Sequence, residues 1–272
     1  MLERTIDNES CRESGPLSVR DKIIDRERSS FILRKKLRSV SGRKRLGLAW
    51  IVIDPIVTSL IYLFVLTVLR ARTDPESLFI GIVTYQVLTN SIKSGSASVK
   101  DLTGGFKAER IRTRTMLFST IRYRIIDTFS STAGVMAILY FIYGVPLVGV
   151  MAFLIVAQLV GLLFEGVGLS FSMTMKRIPD LYNVMTLFLR LMFFAGPVMY
   201  PMSMTEGLHY RVNLYNPFTY FVEASRYISD LETTLLEFGA FPGLLVIAVV
   251  AILAYRGYSK IDSYRWRMTT WA

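Results

Sequence analysis

Residues 147–175 read LVGVMAFLIVAQLVGLLFEGVGLSFSMTM, twenty-nine positions carrying one charge, Glu165. A helix needs about 20 apolar residues to cross the hydrocarbon core of a bilayer. This stretch is longer than that, so it is expected to tilt or project beyond the bilayer. A tight turn, Gly144-Val145-Pro146, precedes it, and a short charged loop, Lys176 to Asp180, follows. Working outward, further spans are expected over about Leu46–Leu69 (interrupted by Asp54-Pro55), Ser77–Ser98, Ile121–Tyr143, Leu181–Tyr200 and Leu236–Tyr255. The Ser77–Ser98 span holds Gln86, Asn90 and Lys93, and is accepted because its neighbours need it for a consistent topology. The expected fold is therefore an all-α integral membrane protein with six transmembrane helices per chain.

Composition agrees. Of 272 residues 52% are hydrophobic and 19% charged, against about 25% charged in a typical soluble domain. The mean hydropathy is +0.41. A soluble globular enzyme and a disordered chain are both poor fits. The net charge of +11 would suggest nucleic acid in a soluble protein. Here it reads as basic loops on one membrane face, with no nucleic-acid partner. With the N-terminus inside, twenty-six Lys/Arg fall in cytoplasmic parts and four (Arg70, Arg72, Arg211 and Arg226) fall outside. Both termini are thus expected to be cytoplasmic.

Three regions follow. Residues 1–45 form a cytoplasmic tail, 46–255 the transmembrane domain, and 256–272 a second cytoplasmic tail. From about Leu17 to Val40, Leu33, Leu37 and Val40 share a stripe, with Arg34, Lys35, Lys36 and Arg38 around the rest. That pattern suits an amphipathic interfacial helix lying on anionic lipid. A solvated cytosolic helix is the alternative. The polar, basic N-terminal stretch does not read as a signal peptide. The lone Cys11 and lone His209 leave no intrachain disulfide, no Cys-based metal site and little scope for His-base chemistry.

Charges inside spans cost about 2.5–3.5 kcal/mol each on insertion scales, so they are usually paired or functional. Glu165 and Arg190 are the deepest and are expected to face the bundle interior, toward each other, or else to snorkel. Lys93 sits near the cytoplasmic end of its span, and Asp54 can reach the cytoplasmic headgroups. Pro197 and Pro201 close the fifth span by removing backbone donors. Pro201–Leu235 is too polar to span and reads as short helices dipping into the outer face and turning back, or as an exposed loop. The aromatic rings of Trp50, Tyr62, Tyr85, Phe188 and Phe194 could stack on sugar faces or serve as ordinary lipid-facing residues. Gly161, Gly166 and Gly168 read as close helix packing. No GxxxxGK[ST], HExxH or GxSxG pattern occurs. The chain therefore carries no P-loop of its own and no metal motif, and any ATP it depends on binds elsewhere.

Four stretches together resemble the permease subunit of type-2 ABC transporters, in particular the exporters of O-antigen, capsule and teichoic acid. They are Leu46-Gly47-Leu48-Ala49-Trp50 with Asp54-Pro55; the span holding Gly81 and Tyr85 that leads to a basic segment, Lys107 to Leu117; Gly166-Val167-Gly168-Leu169 followed by Asp180; and Gly196-Pro197-Val198-Met199-Tyr200 with Asn216-Pro217-Phe218 and Arg226. The family often places Arg directly before the loop Asp, whereas here Pro179 precedes Asp180. The resemblance implies a homodimer in the cytoplasmic membrane, driven by two copies of a separate ATP-binding subunit that holds ATP and Mg. It implies export of a lipid-linked glycan, no cofactor on this chain and no bond-making chemistry. ATPase coupling would fall to Phe106, Glu109, Arg110, Arg112, Lys176, Arg177 and Asp180. The path would be lined from Trp50, Tyr62, Tyr85, Phe188, Arg190 and Phe194. The outer gate would be the re-entrant segment between spans five and six, with Pro197, Tyr200, Pro201, Asn216, Pro217, Glu223 and Arg226. Rival readings are a drug or small-lipid exporter of the same superfamily, an intramembrane enzyme, and a gradient-driven carrier.

Overall fold

The computed structural model describes residues 19–41, 49–68, 74–105, 113–229 and 240–270. Among them the regular elements are helical: α1 (Val19–Ser41), α2 (Ala49–Val68), α3 (Pro75–Gly105), α4 (Thr113–Phe141), α5 (Leu147–Arg177), α6 (Asp180–Ala195), a 3-10 turn (Met202–Met204), α7 (Gly207–Leu214), α8 (Pro217–Ile228) and α9 (Ala240–Thr270). Helix suits an apolar chain because it satisfies every interior backbone donor and acceptor within one segment.

α5 is the hub. It packs against α3, α9, α4, α8 and α6, and its glycines decide how closely. A Cβ on Gly168 would lie 2.4 Å from the Ile92 carbonyl oxygen, and one on Gly257 of α9 would lie 1.9 Å from that of Gly166. Gly161 faces α4, where a Cβ would meet the Thr128 hydroxyl at 2.7 Å. Backbone-to-backbone contact of this kind replaces the hydrophobic drive that lipid-exposed helices lack, as the glycine spacing suggests. α1 lies across α4, burying Ile32 and Leu33 while Phe31 stays exposed. Lys36 Nζ reaches Thr120 Oγ1 at 3.3 Å and sits over the Tyr123 ring.

Several boundaries differ from the sequence expectation. α2 runs unbroken through Asp54-Pro55; a proline removes one i→i−4 bond, and the remaining bonds carry the helix past it. α6 stops at Ala195 rather than Tyr200 because Gly196 is extended (φ −85°, ψ 162°) and Pro197 cannot donate. α3 and α9 run on to Gly105 and Thr270. Apolar content marks the hydrocarbon slab, and a helix continues beyond it. The tail expected from residue 256 therefore begins inside α9. Among the described residues, α2 and α5 are long and apolar enough to cross a bilayer on those grounds alone, and α9 holds a shorter apolar tract, Gly243–Ser259.

α2 and α6 pack on one side only. Leu60, Ile61 and Phe64 of α2 are exposed, as are Leu187, Leu191 and Phe194 of α6.

Candidate functional site

The backbone after α6 has to find new partners. Gly196 and Pro197 break the helix, leaving the following carbonyls without intrahelical donors. Arg226, in the last turn of α8, supplies them. Its Nη1 donates to the carbonyls of Pro197 at 2.7 Å and Tyr200 at 3.3 Å, its Nη2 to Val198 at 2.6 Å, and its Nε to Ser77 of α3 at 3.1 Å. Glu223, one turn earlier, balances the charge at 2.5 Å and also accepts from the Met202 amide at 3.3 Å. Both side chains are completely buried. Gly81 makes room for this clasp: a Cβ there would lie 2.1 Å from the Val198 carbonyl and 2.3 Å from Arg226 Nη2.

α8 is placed by its own first turn. Asn216 caps it, with the side-chain oxygen accepting from the Phe218 amide at 3.0 Å, and Pro217 follows at a position where no donor is needed. Phe218 meets the rings of Tyr85 and Phe164 at 5.7 and 6.0 Å. Tyr85 lies eight residues beyond Ser77, about 12 Å down α3. α8 thus lies alongside α3 with its start deep in the bundle and Arg226 at the rim. Outside it, Tyr200 Oη and His209 Nε2 are 2.9 Å apart, and His209 Nε2 is 3.0 Å from the Ala195 carbonyl oxygen.

A second arginine joins three helices. Arg124 of α4 pairs with Glu165 of α5 at 2.6 Å and Asp127 at 2.7 Å, and donates to the Asn90 carbonyl of α3 at 3.3 Å. Ser94 of α3 donates to the other oxygen of Glu165 at 3.1 Å. Arg124 and Glu165 are at most 1% exposed. Taking two charges out of water is expensive, and only this full set of partners makes it tolerable.

The family model described as ABC-2 type transporter matches residues 29–229, a range that holds both clusters. The chain belongs to this family. It is a transporter's membrane protein. Two polysialic acid transport proteins KpsM of Escherichia coli are similar to it, at 21% and 20% identity over 201 residues, 71% of this chain and 77% of each of those proteins.

In this ABC-2 chain the expected gate residues converge. Pro197, Pro201, Asn216, Glu223 and Arg226 are buried in or beside the clasp, with Tyr200 and Pro217 half-buried. The expected lining residues divide. Trp50, Phe188, Arg190 and Phe194 are exposed on α2 and α6. Tyr62 is half-buried against Phe193. Tyr85 is a correction: it is 3% exposed, its hydroxyl donates to the Leu189 carbonyl, and its ring fills the core between α3, α6 and α8 rather than a surface. The expected Glu165–Arg190 pairing is also corrected. Glu165 is saturated by Arg124, and Arg190 points out of the bundle. Of the expected coupling residues, Lys176 is half-buried and Arg177 and Asp180 are exposed at the α5–α6 turn. Phe106, Glu109, Arg110 and Arg112 lie outside the described residues, as does Cys11.

Sequence reasoning missed Arg124, which it counted among the cytoplasmic cations. The signal was available in principle: Arg124 and Asp127 stand at i, i+3 just inside an apolar run.

Proposed function

We propose that this chain is the transmembrane subunit of an ATP-driven exporter that moves a lipid-linked polysaccharide or related cell-envelope polymer outward across the cytoplasmic membrane. The observation that carries the reading is the similarity to two polysialic acid transport proteins across 201 residues, within a family of transporters. Six helices, α2 to α6 and α9, would form the spans of the 46–255 permease domain, with both ends of the chain cytoplasmic. α1 would lie at the inner interface. α8 would be the re-entrant piece of the outer gate, held shut or repositioned as a unit by the Arg226 clasp. Two copies would pair so that their α2 and α6 faces enclose the path. Two ATP-binding subunits, holding ATP and Mg, would dock beneath, at the segment 106–112 and the α5–α6 turn. Having no P-loop, the chain depends on them for energy.

The test is depletion of this chain in its source organism, with surface glycan and intracellular lipid-linked glycan both measured. Accumulation inside with loss outside supports the reading. Normal surface glycan, with sensitivity to an exported drug instead, would favour the small-molecule alternative. Co-purification of an ATP-hydrolysing partner separates both from a gradient-driven carrier.

A further inference from the structure

The chain has one histidine, and it stands at a joint between helices. His209 lies in the first turn of α7, and its exposed ring reaches back to the end of α6. Its Nε2 is 3.0 Å from the carbonyl oxygen of Ala195, the last residue of that helix, and 2.9 Å from Tyr200 Oη. A helix end leaves its last carbonyls without intrahelical donors, and the ring supplies one. The far end of α7 is tied to α8 instead. Tyr220 Oη donates to the Leu214 carbonyl at 2.6 Å, and Asn216 Nδ2 donates to Asn213 Oδ1 at 3.3 Å. α7 is thus a strut between α6 and α8, fastened to α6 by the imidazole. It opens on Gly207, at φ +58° and with no heavy atom outside its chain neighbours within 4 Å of a Cβ position. The turn into the strut therefore has room to move.

The geometry fixes which way a proton acts. A carbonyl oxygen only accepts, so the contact with Ala195 requires a hydrogen on Nε2. The neutral ring holds α6 through one uncharged N–H. Protonation at Nδ1, which makes neither contact, keeps that N–H and adds a positive charge beside the C-terminal carbonyls of α6. A charged donor bonds more strongly than a neutral one, and the negative end of a helix dipole favours a cation. Both effects have one sign: acid tightens the contact. The groups around the ring leave that sign standing. Burial pushes the Tyr200 phenol up, so it stays neutral while a histidine titrates. On α7, Glu206 stands three residues before His209 and Arg211 two after it, with opposite charges. On α6 the nearest charge is Arg190, five residues before Ala195. On α8, Arg226 reaches the Tyr200 carbonyl and is balanced by Glu223. Tyr210 and Tyr220 add phenols.

We propose that His209 is a pH-sensitive latch that clamps α7 to the end of α6 in acid and loosens it as the medium turns alkaline. On the outer-gate reading above, on which this consequence rests, the proton concentration at the outer face sets how readily the segment between α6 and α8 moves. The latch itself needs only the contacts of the ring.

Two measurements on the full-length chain in nanodiscs test it, with a purification tag free of histidine. A lone histidine, isotope-labelled in its ring, gives a single set of ring-nitrogen signals in magnetic resonance. The neutral form is expected to carry its hydrogen on Nε2, and a hydrogen on Nδ1 instead overturns the latch. Hydrogen exchange of residues 196–214 is then compared at about pH 5.5 and about pH 8, either side of the range in which histidine titrates, after correction for the intrinsic pH dependence of exchange. Wild type is expected to exchange about three-fold more slowly in acid, with α5 unchanged. His209→Gln retains an uncharged donor with no proton to gain, so its corrected rate should be the same at both pH values. Tyr200→Phe keeps the bond to Ala195 and should keep the pH dependence. Gel filtration confirms that each variant is folded. A corrected rate in wild type that ignores pH, or an undiminished pH dependence in His209→Gln, overturns the proposal. Neither readout involves glycan, so normal surface glycan after depletion would refute the cargo and leave the latch standing.

Discussion

Replacing Arg226 with Met leaves three loop carbonyls, the Ser77 carbonyl and the Glu223 carboxylate without their donor. Breaking one partner of a buried ion pair costs about 3–5 kcal/mol. The Arg226→Met protein in detergent should therefore unfold at clearly lower temperature than wild type in a thermal scan followed by tryptophan fluorescence. Lysine should not rescue it, because one ammonium cannot cover five acceptors spread around a planar group. The glycines give a paired comparison. Gly81→Ala drives a methyl into the Val198 carbonyl at 2.1 Å, whereas Gly134→Ala meets the flexible tip of Ile56 at 2.4 Å. Comparable yield and melting temperature for the two variants would contradict the tight seat described for Arg226; the expected result is severe loss for Gly81→Ala and a mild change for Gly134→Ala.

Between helices, Arg124 and Glu165 act as one device. Arg124→Leu or Glu165→Leu alone strands a buried charge and should cost about 3–5 kcal/mol, while the double variant should recover part of it and the further change Asp127→Asn, which removes the second acid held by Arg124, most of the rest, since well-packed neutral groups can match a buried ion pair. A double-mutant cycle on thermal stability checks this. At the start of α8, Asn216→Ala removes a cap worth about 1 kcal/mol, and the outer segment should become more sensitive to protease than in wild type. This cap was legible in the sequence, because Asn-Pro ahead of Phe218 is a helix start by local chemistry alone. The glycine stripe of α5 was legible for the same reason: small residues at helical spacing have few other uses in an apolar run. The partner of Glu165 was not. Arg124 lies 41 residues away on another helix, and its i, i+3 spacing to Asp127 marks a paired cation without pointing to Glu165 as the further partner. Arg190 shows the converse. Depth in an apolar run suggested an interior position, but which face of α6 it occupies depends on the packing of α3.

For the molecule as a whole, the chain has a single cysteine, Cys11, so Cys11→Ser yields a background for site-directed labelling. In that background Leu187→Cys or Phe64→Cys should form disulfide-linked dimers under mild oxidation in membranes, and Phe141→Cys, exposed at the end of α4, should not. Absence of any crosslink from α2 and α6 would count against a paired path. The clasp also has a consequence in time. Ser77 and Arg226 are 149 residues apart, so the Ser77 carbonyl emerges long before its donor is synthesised, while the carbonyls of Pro197, Val198 and Tyr200 precede it by 26 to 29 residues. During biogenesis those groups must be hydrated or chaperoned, and closure of the outer rim becomes a checkpoint that an immature chain cannot pass. Quality-control proteases of the membrane would then find their cleavage site in the segment between α6 and α8 whenever that late bond fails to form.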